Sequence, residues 1–106
     1  MSKAIIDTKR PTGLLSATAK REVAFSLNTH EAKEVYLCGD FDQWIPRSLP
    51  MFRHGDNRWW EKCQVLPPGR YEYKFIVDGE CIHDSRACNN VPNTHGSLNS
   101  VVEVRL

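Results

Sequence analysis

The chain has 106 residues, enough for one domain with a single core and too few for two. Its 41% hydrophobic and 25% charged residues are those of an ordinary globular protein. A formal net charge of +1 without a concentrated basic run argues against nucleic acid or a membrane as partner.

In chain order, residues 1–19 read as a mobile N-terminal tail. Ile5-Ile6 and Leu14-Leu15 are isolated apolar pairs among Lys, Arg, Pro and Gly, and no period sustains them. The segment has no apolar run of signal-peptide length, and no stretch approaches a membrane span. The cytoplasm is therefore the expected compartment, with Cys38, Cys63, Cys81 and Cys88 expected as free thiols.

The folded domain is expected over 20–106. Val23, Phe25 and Leu27 alternate with Ala24 and Ser26, the period-2 signature of a half-buried strand. Val35 and Leu37 alternate in the same way with Tyr36 and Cys38, and Gly39-Asp40 closes that strand. A polar stretch broken by Pro46 and Pro50 follows. Met51 to His54 and Arg58 to Leu66 read as a strand pair around Gly55-Asp56-Asn57, and Pro67-Pro68-Gly69 is a stop. Trp59 and Trp60 are adjacent in a strand, so they face opposite ways, one toward the core and the other toward solvent. Tyr71, Tyr73, Phe75 and Val77 mark one face of the next strand, with Glu72, Lys74 and Ile76 on the other. Glu80 to His83 returns, a loop runs to about Leu98, and Val101 to Leu106 forms the last strand. Short strands, frequent turn signals and no helical period predict an all-β antiparallel sandwich.

Asp78-Gly79 has the composition of a two-residue type I′ turn. Such a turn pairs Val77 with Glu80, Ile76 with Cys81, Phe75 with Ile82 and Lys74 with His83. Directly paired residues share a sheet face, so Phe75 and Ile82 are expected in the core. Lys74, Ile76, Cys81 and His83 are expected outside, because a buried, unpaired lysine is costly.

The block Val35-Tyr36-Leu37-Cys38-Gly39-Asp40-Phe41-Asp42-Gln43-Trp44 resembles the opening of the family 48 carbohydrate-binding modules, of the AMP-activated kinase β subunit type and the branching-enzyme type. Leu66 to Gly79 is similar to the middle of that family, and Gly96 to Val104 to its last strand. The resemblance implies an early-set, immunoglobulin-like sandwich that binds α-1,4-glucan of the glycogen or starch type, without catalysis and without a cofactor. It assigns the sugar platform to Trp44, Lys74 and Asn99, with Ser97 at a threonine position and His95 at a leucine position of the kinase-type modules. Cys81 stands where those modules have a second tryptophan. Aromatic stacking on a flat ring is worth ~1–3 kcal/mol, so its absence would weaken binding about tenfold to a hundredfold. An alternative is therefore a module that has kept the sandwich, lost the sugar, and docks on a kinase subunit or an enzyme of glycogen metabolism.

Cys81, His83, Cys88 and His95 carry the ligand types of a tetrahedral zinc site, but their spacing fits no standard zinc pattern and no metal is expected. Cys81, His83 and Asp84 likewise contain the types for thiol chemistry, with no nucleophile elbow, phosphate loop or carboxylate pair to complete a catalytic site.

Overall fold

The computed structural model describes residues 19–55 and 58–105. Nine strands account for the described chain: β1 (Arg21–Asn28), β2 (Val35–Gly39), β3 (Leu49–Pro50), β4 (Phe52–Arg53), β5 (Trp59–Leu66), β6 (Gly69–Val77), β7 (Glu80–Ile82), β8 (Asn89–Pro92) and β9 (Leu98–Val104). A single 3-10 turn, Asp40–Asp42, follows β2. The larger sheet runs β3-β2-β6-β9-β8, with β7 also paired to β6, and the smaller runs β1-β5-β4. Every pairing is antiparallel. The two sheets form a β-sandwich. Among the described residues no helix is long and apolar enough to cross a membrane.

The core lies between the sheets and is built by the alternating positions. Phe25 of β1 and Trp60 and Leu66 of β5 meet Val35 and Leu37 of β2, Tyr73, Phe75 and Val77 of β6, and Val104 of β9. Phe25 packs edge-on against Tyr73 with centroids 4.9 Å apart, and Phe41 adds a tilted contact to Phe25 at 5.4 Å. Each buried ring contributes roughly 1.5–3 kcal/mol through area alone. Trp60 is buried and Trp59 lies at the surface under the Arg86 guanidinium, 5.1 Å from its centroid.

The β6–β7 turn has the expected register: Val77 pairs with Glu80, Ile76 with Cys81 and Phe75 with Ile82. Asp78 and Gly79 both take positive φ (48° and 89°), as a type I′ turn requires. Two expectations about this hairpin are corrected. Ile82 is 37% exposed rather than in the core, because β7 is a three-residue strand paired only to β6. His83 lies beyond the end of β7 and is exposed, so the ladder never reaches a Lys74–His83 pair.

Other boundaries also move. Asn89–Pro92, expected as loop, is a strand along β9, and Leu98 to Ser100 belong to β9. Leu49–Pro50, in the proline-broken stretch, pairs with β2. Of the strand expected over Met51 to His54, Phe52–Arg53 forms the ladder with β5 and the His54 N–H donates to the Trp59 carbonyl (3.0 Å), while Met51 turns into the core. Residues 1–18 of the expected tail and Asp56-Asn57 of the β4–β5 turn lie outside the described residues.

Candidate functional site

The outer face of the large sheet carries a cavity of about 690 Å³, within the range of small-ligand sites. Its floor comes from the outward positions of β2 and β6. Cross-strand pairing sets Cys38 beside Lys74 and Tyr36 beside Ile76, and Cys81 of β7 completes the second row. Trp44 stands on one side, from the segment after β2. Thr94 and His95 stand on the other, from the segment between β8 and β9.

The residues between Gly39 and Ser48 explain how a tryptophan comes to stand there. Asp42 caps the turn: its Oδ1 accepts from the backbone N–H of Gly39 (3.0 Å) and of Trp44 (3.2 Å), and its Oδ2 accepts from the Ser48 hydroxyl (2.7 Å). These bonds hold Gln43 and Trp44 consecutively in the left-handed region, at φ 59° and 60°. That conformation costs a bulky residue of order 1–2 kcal/mol and persists only where the surroundings over-determine it. Asp40 fixes the ring itself. One carboxylate oxygen accepts from Trp44 Nε1 (2.9 Å), and the other accepts from the backbone N–H of Glu72 in β6 (2.7 Å). The Lys74 ammonium lies 5.7 Å from the Trp44 ring centroid, within cation–π range. Phe41, between the two aspartates, points back to the core.

On the far side the polar groups are equally tied. Asn99 is buried; its Nδ2 donates to Glu72 Oε1 (3.1 Å) and its Oδ1 accepts from Asn93 Nδ2 (3.0 Å). Asn93 Oδ1 accepts from the backbone N–H of His95 (2.9 Å) and Ser97 (3.1 Å), which shapes the turn that presents His95. Of the five residues expected to form a platform, Trp44, Lys74, His95 and Asn99 line the cavity. Ser97 does not line it, and its hydroxyl accepts from Asn93 Nδ2 at 2.9 Å.

Residues 23–106 match the family described as the glycogen recognition site of AMP-activated protein kinase. The chain belongs to that family. Curated relatives include 5'-AMP-activated protein kinase subunit beta-1 of Sus scrofa, 36% identical over 77 residues, which are 73% of this chain and 59% of that protein. The Bos taurus subunit beta-1 is 38% identical over 77 residues, again 73% of this chain but 27% of that protein. The Mus musculus subunit beta-2 is 32% identical over 74 residues, covering 69% of this chain and 26% of that protein. The chain therefore spans less than two thirds of the length of these relatives.

Within this glycogen-recognition-site fold, several cavity residues had no separate mark in the sequence. Tyr36 was legible in principle, since it shares the parity of Cys38 on β2. Asn93 carried no periodic signal because it lies in a loop. Cys38 shares that parity on β2; it lines the cavity and is 2% exposed. Its burial, with the Asp42 carboxylate second, pushes the thiol up to about 11. All four thiols are free. Cys81 and His95 line the cavity, while Cys88 lies by a separate hollow beside Tyr73 and Asp84. Among the described residues no three His, Cys, Asp or Glu side chains are grouped to hold a metal. Asp84 is committed elsewhere: its carboxylate accepts from the Tyr73 hydroxyl at 2.7 Å.

Proposed function

We propose that the chain is a non-catalytic α-glucan-binding module of the glycogen or starch type, and that the outer-face cavity is its binding site. The observation that carries this reading is the convergence of Trp44, Lys74, His95 and Asn99 on one cavity. A glucose ring offers a flat face of C–H groups and a rim of hydroxyls. Trp44, held by Asp40, covers the face; Lys74 donates to the rim, and the Asn99–Glu72 pair supplies a fixed donor and acceptor. His95 offers an imidazole at the mouth of the cavity. Ser97 acts through Asn93, keeping the turn that carries His95 in shape.

A second reading is favoured by Cys81, which is exposed on the cavity wall and brings no ring. In that reading the module docks on a protein of a kinase complex or of cytoplasmic glycogen metabolism and no longer holds sugar. Titration with maltoheptaose or β-cyclodextrin, followed by tryptophan fluorescence and by NMR shifts, separates the two. Glucan binding predicts saturable shifts at Trp44 that Trp44→Ala abolishes. Cys81→Trp is expected to tighten binding about tenfold. An unmoved Trp44 resonance at millimolar sugar overturns the glucan reading and leaves the docking one.

A further inference from the structure

The cavity has a second end, remote from the Asn99–Glu72 pair, where Tyr36 is the aromatic group. Register places Tyr36, Ile76 and Cys81 in one cross-strand row on the outer face. That row lies two residues along the strands from Cys38 and Lys74, or about 6.6 Å. Tyr36 is half-buried and lines the cavity.

Its ring is held from two directions. The hydroxyl donates to Glu34 Oε1 at 2.9 Å, and that bond is the main reason its pKa is raised. The Arg47 guanidinium lies over the ring, 4.8 Å from the centroid, and Arg47 also pairs with the same Glu34 oxygen at 3.0 Å. Glu34 is itself positioned by the hairpin turn. Its backbone N–H donates to Asp78 Oδ1 (2.9 Å), and its carbonyl accepts from the Asp78 N–H (2.9 Å). A tyrosine fixed at its tip and along one face loses little freedom when a ligand covers the remainder.

We infer that Tyr36, with Ile76 beside it in the same cross-strand row and the Glu34–Arg47 pair holding its hydroxyl and one face of its ring, forms a second saccharide subsite one row beyond the Trp44 subsite. The class of ligand is a linear α-glucan of at least two consecutive glucose units. Trp44 covers one ring and Tyr36 covers the next, in a row where Cys81 supplies none. Glu34 and Arg47 offer an acceptor and planar donors to neighbouring hydroxyls, the polar complement such a ring requires.

This inference rests on the reading of the cavity as a glucan site, and its test keeps the two apart. Maltoheptaose affinity is measured by calorimetry for the wild type, Trp44→Ala, Tyr36→Ala, Tyr36→Leu, Tyr36→Phe and Arg47→Ala. Thermal melts confirm that each variant is folded. If the wild type binds nothing, the parent reading fails and takes the subsite with it. If the wild type binds and Trp44→Ala does not, the site is sound and the tyrosine series decides. A stacking subsite predicts that Tyr36→Ala and Tyr36→Leu each lose at least fivefold, while Tyr36→Phe stays within about threefold of wild type. Tyr36→Leu binding as tightly as the wild type overturns the proposal, because apolar volume alone would then suffice. Should Tyr36→Ala not fold, Arg47→Ala still decides, since that side chain is 68% exposed. It is expected to lose at least threefold, and an unchanged affinity overturns the subsite.

Discussion

Gly39 and Gly79 show that glycine serves opposite purposes at two ends of the same sheet face. Gly79 has φ +89° and open space where a Cβ would stand, so what it supplies is backbone freedom. Gly39 is extended, and what it supplies is room. A Cβ there would sit 2.6 Å from the Glu72 carbonyl oxygen, 2.8 Å from the Phe41 ring and 2.9 Å from Tyr73 Cβ. The first of these is backbone of β6, which no side-chain rotation relieves. Gly39→Ala is therefore expected to cost about 3 kcal/mol, at the upper end for overpacking. Gly79→Ala is expected to cost about 1 kcal/mol, from left-handed strain alone. Urea unfolding of both variants checks the order. Gly39→Ala must also displace Asp40 from the Glu72 N–H, so the Trp44 fluorescence maximum is expected to shift in that variant only.

At the scale of elements, the segment after β7 is held by a small polar cluster in place of ladder bonds. Asp84 accepts from the Tyr73 hydroxyl (2.7 Å) and from the backbone N–H of Arg86 (3.0 Å). Its own N–H donates to Ser100 Oγ (2.6 Å), and Ser100 in turn donates to Asn90 Oδ1 (2.6 Å), joining β6, β8 and β9. Asp84→Ala leaves a buried phenol without its acceptor and is expected to cost about 2–3 kcal/mol. In a double-mutant cycle, Tyr73→Phe should cost at least about 1 kcal/mol less in the Asp84→Ala background than in the wild type. Strict additivity would show that the bond carries no coupling. This cluster also marks where the sequence stopped being legible. Strands whose residues alternate, such as Val23-Phe25-Leu27 and Tyr71-Tyr73-Phe75-Val77, could be read directly, and with them the hairpin register that sets Lys74, Ile76 and Cys81 on one face. Asn89–Pro92 could not, because Asn and Pro have low strand preference and the pairing comes from β9. In the site, Trp44, Lys74, His95 and Asn99 were reached through the family resemblance. The orientation of Asp40 toward Trp44 was not, since the other oxygen of its carboxylate is held by the Glu72 N–H, 32 residues away along the chain.

For the molecule as a whole, the two faces of the larger sheet give it an alkaline limit. On the inner face the Tyr73 hydroxyl has its pKa raised well above the ordinary 10.0, first by burial and then by its bond to Asp84. On the outer face the Cys38 thiol beside Lys74 is raised from 9.0 to about 11, again chiefly by burial. Both groups hold their protons more tightly folded than unfolded. Above pH 9 the unfolded chain loses the Cys38 proton while the folded chain keeps it, so stability falls as pH rises. The loss begins near pH 9 for Cys38 and near pH 10 for Tyr73, and Cys38's share is complete near pH 11. Each contributes a slope approaching about 1.4 kcal/mol per pH unit within its window. Urea unfolding under reducing conditions from about pH 7.5 to about pH 10.5 measures the slope. Cys38→Ala isolates one share: it leaves a small void and is less stable than the wild type at about pH 8, by an amount that stays constant below about pH 9. Above that the gap narrows, because only the wild type has a buried thiol proton to lose. A gap that stays constant throughout the alkaline range would mean that Cys38 ionises as readily in the folded cavity as in the open chain.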